Sequence, residues 1–126
     1  MIDRQTVRDA VGMIANVHGL VMNPDDLVDD VVLMAHAWPE QEEFMHAVLA
    51  VCTAMDNLIA GKVEGTALKY DLSEWRSFHF QHHRQRGAKA DARIIYRRDA
   101  TGIVVKGFGS RHEPQDIYRR LMATRT

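Results

Sequence analysis

A single cysteine, Cys52, stands among the 126 residues of this chain, which excludes an intrachain disulfide framework and the small cystine-stapled scaffolds of secreted proteins. Proline is nearly as scarce, with three residues, and glycine contributes eight, so collagen-like and Pro/Gly-rich low-complexity chains are excluded too. No segment approaches the ~20 apolar residues of a membrane span. The opening MIDRQTVRDA mixes acids with bases and lacks the apolar run of a secretory signal. These absences lead us to expect a cytoplasmic protein without a membrane partner. What remains is 46% apolar and 26% charged residues. At this length the composition suits a single domain over residues 1–126, able to bury roughly two thirds of its unfolded surface without a metal or disulfide.

The formal net charge of -1 hides a strong asymmetry. Residues 1–61 hold two bases and ten acids, a net charge of -8, whereas residues 62–126 hold fourteen bases and seven acids, a net charge of +7. A basic segment of this kind makes a field that attracts phosphates, and an acidic one repels them or lies against the basic part. The plainer alternative is a solvated surface whose charges segregate along the chain.

The acidic part reads as three helices. Val7, Val11, Ile14 and Val17 recur at steps of three and four, with Gly19 positioned to end the first helix. Asn23 and Pro24 then supply an N-cap and a first-turn proline, followed by Asp25 and Asp26 at the positive end of the helix dipole. This second helix runs to Pro39. Glu40, Glu42 and Glu43 open the third, whose stripe of Phe44, Val48, Val51 and Met55 lasts until Gly61. Met13, Met34, Met45 and Met55 read as core filling, and Cys52 as a small buried apolar residue. His18, His36 and His46 read as surface or satisfied core groups.

Beyond Gly61 the pattern becomes sheet-like. Trp75 to His82 alternates, with Phe78 and Phe80 on one face and Ser77, His79 and Gln81 on the other. Arg93–Arg98 and Ile103–Phe108 form two further strands, joined by a hairpin-length turn over 99–102. Gln85 to Asp91 reads as a disordered basic loop. A last helix is expected over about Glu113–Met122, opened by Ser110 with Glu113 or by Pro114. Arg119, Arg120 and Arg125 then face the negative end of its dipole. The expected fold is α+β: N-terminal helices cover one face of a three- to four-stranded antiparallel sheet, a helix closes the chain, and the opposite face carries the bases.

Functional residue types concentrate in this basic half. Arg76, His79, His82, His83 and Arg84 belong to the first strand and its end, Arg93 and Arg97 to the second, and Arg111 and His112 follow the third. Arginines and histidines gathered on one sheet face suit phosphodiester binding, since guanidinium is a bidentate phosphate donor and imidazole titrates near neutrality. In RNA cleavage a base takes the 2'-hydroxyl proton and a cation stabilises the phosphorane charge. The HxxHH run from His79 to His83 has no cysteine or carboxylate at ligand spacing, so no metal or other cofactor is expected.

The stretch from Arg93 (RIIYRR) through IVVKGFGSRH to QDIYRRL resembles the C-terminal core of the RelE/ParE superfamily of bacterial toxins. The resemblance covers roughly residues 62–122. It implies a small antiparallel sheet packed on N-terminal helices, and an activity that is either messenger RNA cleavage in the ribosome, in the RelE-like branch, or gyrase poisoning, in the ParE-like branch. Arg93 matches the family's phosphate-contacting arginine, Arg111 the arginine of transition-state stabilisation, and Tyr118 a tyrosine that stacks on or orients a nucleotide. The first strand matches one that carries basic catalytic side chains, which makes His79 the preferred base. The catalytic set so implied is His79, Arg93, Arg111 and Tyr118, with Arg76, His82, His83, Arg84, Arg97 and His112 binding substrate. The implied function is a metal-independent endoribonuclease toxin acting on RNA, with the ribosome and a cognate antitoxin as partners. A ParE-like topoisomerase-binding toxin and a noncatalytic adaptor are the alternatives. Family members open with a strand before two helices, and no such strand is expected here. The acidic residues 1–61 are instead expected to mask the basic face within the chain.

Overall fold

Helix-start chemistry fixes where the first half of the chain coils. In the computed structural model, which describes residues 1–125, Asp3 caps α1 (Arg4–Ala15) by accepting the Thr6 N–H at 2.8 Å. Asn23 caps α2 (Pro24–Ala37) by accepting from Asp25 and Asp26. After Pro39, Glu42 and Glu43 stand in the first turn of α3 (Gln41–Ile59), which ends before Gly61 at φ +73°. Helix α1 ends earlier than its apolar spacing suggests. Gly19, at φ +94°, instead turns the chain into a two-residue strand, β1 (Leu20–Val21).

The remaining strands are β2 (Thr66–Ala67), β3 (Arg76–Phe80), β4 (Ala92–Arg98) and β5 (Ile103–Ser110), and the last helix is α4 (Ile117–Thr124). The fold is α+β, with a mixed sheet of five strands in the order β1-β5-β4-β3-β2 rather than three or four antiparallel ones. β1 runs parallel to β5, and the other pairs are antiparallel. The two extra strands have two residues each, too few to show a period. The unexpected β1 precedes α2 and α3, with α1 in front of it.

Helices α1, α2 and α3 share one core with the sheet face of Phe78, Phe80, Ile94, Tyr96 and Phe108. Met34 and Met55 are buried there, Cys52 is half-buried, and Met13 is exposed, a correction to its expected core role. The opposite sheet face is not left open. α4 packs on it through Ile117 and Leu121 against Ile95, with Trp75, Leu68 and Tyr118 around them. Gly107 makes this possible, because a Cβ there would collide with the Leu121 side chain. Asp116, not Ser110 or Pro114, caps α4, accepting from Tyr118 and Arg119. The loop expected to be disordered is held by Gln81, whose side chain donates to the carbonyls of Gln85 and Ala88.

Around the outer edge of β5, beyond β1, α2 and α4 are tied together by charge. Asp30 is fully buried and meets Arg120 at 2.6 Å and Arg125 at 2.8 Å. These groups also satisfy the strand's edge: Asp30 accepts the Phe108 N–H, while Arg125 and Arg120 donate to the carbonyls of Lys106 and Phe108. Arg120 and Arg125 are thus built into an ion cluster rather than facing a helix dipole. Burial alone would lower the Arg125 pKa, but the bond to Asp30 and the charges of Asp30, Asp26 and Asp29 raise it overall.

Candidate active site

Alternation along β3 and β4 decides which side chains meet on the α4 face. Ser77 and His79 point away from the Phe78/Phe80 core, and their register partners are Ile95 and Arg93. Arg93 in turn pairs across with Gly109 of β5. Two residues on, the Arg111 N–H bonds the Asp91 carbonyl at 2.8 Å, keeping the chain after β5 beside the start of β4. His79, Arg93 and Arg111 therefore come together at one end of this face.

Tyr118, on the first turn of α4, completes the group. Its ring lies 4.7 Å from the Arg111 guanidinium carbon, and its hydroxyl is 2.7 Å from the Ser77 hydroxyl. Asp116 pins Arg111 from the other side through an Nη1–Oδ2 contact of 2.5 Å. Burial alone would raise the Asp116 pKa, but the bond to Arg111 and the capped N–H groups of α4 outweigh it and hold the carboxyl below its ordinary range. Ser77 and Asp116 have no role in the sequence reading. Ser77 shares the His79 face and so was legible by alternation, whereas the Asp116–Arg111 pairing crosses a loop and leaves no periodic signal.

His79 is exposed, and partial burial followed by the charges of Arg93 and Arg111 pushes its pKa below the ordinary imidazole value. At neutral pH it is therefore an unprotonated imidazole between two cations, the form a general base requires. Arg93 donates through Nη1 to the carbonyls of Ala90 and Ala92. Its Nε is shielded from solvent and has no partner among the described residues. Such an unpaired group costs on the order of 1–3 kcal/mol.

The other expected substrate contacts do not all join this group. Arg76 lies with the Phe78 side of β3, donating from Nε to the Gly65 carbonyl, with Glu64 3.7 Å away. His82 and His83 are drawn to the acidic half. His82 lies between Asp91 and Glu43, 2.5 Å from each, and stacks on Trp38, while His83 meets Glu43 at 3.3 Å and stacks on His46. Arg84 and His112 are exposed, with His112 directly after Arg111. Arg97 is on the α4 face but four residues from Arg93, about 13 Å along the strand. There it covers the Trp75 ring at 4.8 Å, together with the Lys106 ammonium at 5.1 Å.

The acidic helices do not cover the His79–Arg93–Arg111 group, because they pack on the other sheet face. Their acids engage other bases: Asp26 and Asp30 meet Arg120 and Arg125, and Glu43 meets His82 and His83. Among the described residues, no ion pair joins residues 1–61 to Arg93 or Arg111, and no three His, Cys, Asp or Glu side chains form a metal-binding group. No helix among them is long and apolar enough to cross a membrane. No family model, curated protein or solved structure matches this chain.

Proposed function

We propose that the chain is a RelE-like endoribonuclease that cleaves messenger RNA and acts as the toxin of a bacterial toxin–antitoxin pair. The observation that carries this reading is the convergence of His79, Arg93, Arg111 and Tyr118 from β3, β4, the end of β5 and α4 onto one solvent-accessible corner. The element order from β1 onward, a strand, two helices, an antiparallel meander and a last helix, also agrees with the family resemblance.

In the proposed reaction Arg93 and Arg111 hold the scissile phosphate. Neutral His79 takes the 2'-hydroxyl proton, the 2' oxygen bonds to phosphorus, and the two guanidinium groups stabilise the charge that builds on the phosphorane. The bond to the 5' oxygen breaks, leaving a 2',3'-cyclic phosphate, and water at the open corner protonates the departing oxygen. Tyr118, its ring set beneath Arg111 and its hydroxyl fixed by Ser77, presents an aromatic edge for a neighbouring base. Cytoplasmic RNA, the ribosome and a cognate antitoxin are the partners this reading requires.

The test is expression of wild type beside Arg93→Ala and Arg111→Ala, reading growth and transcript cleavage together. Wild type is expected to arrest growth and cut transcripts, and both variants to relieve both effects. Three folded proteins that behave alike would overturn the site assignment. Growth arrest with transcripts intact would favour the topoisomerase-binding reading.

A further inference from the structure

The same sheet face carries a second cationic centre at the other end of α4. Strand β5 holds one more residue than β4 opposite Ile95 and Tyr96, because Ile95 pairs with Gly107 while Tyr96 pairs with Val105. Lys106 is the extra residue. Bulges of this kind re-aim a side chain, and here the Lys106 ammonium comes over Trp75, where the Arg97 guanidinium also rests. Burial, Arg125 and Arg97 push the Lys106 pKa down, against an opposing pull from Asp26. Two like charges on one indole repel each other, and an anion between them removes that cost. The nearby Glu74 neutralises little of it, since it reaches Arg97 only at 3.9 Å and is 79% exposed.

Two adjoining cavities lie along this side of α4. A cavity of about 610 Å³ at Trp75, Arg97 and Lys106 and one of about 520 Å³ at Lys69, Tyr70 and Tyr118 share Asp71, Leu72 and Met122 as common walls. Tyr118, beside Arg111, lines one of them and Trp75 the other. Tyr70, which lines the same cavity as Tyr118, stands 90% exposed with φ +58°, a left-handed backbone that holds a bare phenol there. Aromatic rings alternating with cations along a groove are what single-stranded nucleic acids bind.

We infer that Trp75, Arg97 and Lys106 form a distal phosphate subsite for single-stranded RNA, reached from the cleavage corner along these adjoining cavities beside α4. This rests on the nuclease reading for its strand and direction, but binding at the subsite is separable from cleavage. The experiment uses the full chain in a His79→Gln background and a fluorescent single-stranded RNA octamer, with binding read by anisotropy across a salt series. Arg97→Gln combined with Lys106→Gln is expected to weaken octamer binding about tenfold and flatten the salt dependence by about 0.7 in log–log slope per lost phosphate contact. Trp75→Phe, which keeps an aromatic platform, is expected to bind nearly as wild type. Unchanged octamer affinity and salt slope in the double variant would overturn the subsite, as would failure of the parent protein to bind the octamer. Octamer binding that depends on Arg97 and Lys106 in a chain that cuts no RNA would overturn the nuclease reading and leave the subsite standing.

Discussion

Arg93 and Arg111 on one side, and Arg120 and Arg125 on the other, show one side chain in two settings at opposite ends of α4. Arg120 and Arg125 are almost completely buried, and their charge is answered within the chain by Asp30. Arg93 and Arg111 are half-buried: Arg111 has one carboxylate partner, and Arg93 has only carbonyl acceptors. A cation whose partner is supplied by the fold acts on stability, whereas a cation left incompletely answered is available to a ligand. The net charge of +7 over residues 62–126 is therefore two populations, which only the three-dimensional arrangement separates.

The strongest test of this division is Asp30→Ala. Removing the carboxylate shared by Arg120 and Arg125 leaves buried Arg120 without an acidic partner and Arg125 with Asp26 alone, and is expected to cost about 3–5 kcal/mol, read as a lowered urea midpoint. By contrast Arg111→Ala breaks a partly exposed pair and is expected to change stability by less than about 1 kcal/mol. Its effect should fall on RNA cleavage, with a loss of about 10²–10³-fold. A mild Asp30→Ala, or an Arg111→Ala that unfolds, would break the comparison.

The pH dependence sharpens it. His79 has a depressed pKa, so its base-competent form is present at neutral pH, and cleavage should fall only as pH drops through a value below the usual 6.5. The depressed value also means that acid favours the unfolded state at this residue. Replacing Arg111 by Gln removes one of the charges responsible. An NMR titration of His79 in Arg111→Gln should therefore give a midpoint higher than in wild type, and an unmoved midpoint would separate the two residues.

The smallest effect is expected at Glu43, whose pKa is lowered by its bonds to His82 and then His83. A lowered carboxylate pKa contributes stability above the unfolded value near 4.5 and loses it as pH falls through the folded one. Glu43→Gln should thus lower the thermal midpoint slightly at pH 7, and the difference from wild type should vanish in acid.

Local signals account for what was legible in the sequence. Asn23, Pro24 and the acids after Pro39 act within one turn, and α2 and α3 start where those residues stand. Alternation in β3 put His79 opposite Phe78 and Phe80, and the resemblance tied it to Arg93, Arg111 and Tyr118, which the fold brings together. Contacts between distant segments were not legible. His82 and His83 look like neighbours of His79 in the chain, yet Glu43, some forty residues earlier, draws them to the helical side. Asp30 looks like one more surface acid of α2 until Arg120 and Arg125, about ninety residues later, close over it. β1 has no pattern of its own and exists because β5 offers it an edge.

That edge has a consequence for incomplete chains. From Lys106 onward β5 is finished by side chains that arrive from α2 and from the end of α4, not by another strand. A polypeptide cut or stalled ahead of Arg120 would keep the sheet but show a bare row of amides and carbonyls, with a lone buried carboxylate beside it. Such a fragment would tend to recruit the backbone of a neighbour, so proteolytic nicking near α4 would turn a self-contained molecule into a seed for sheet-to-sheet association.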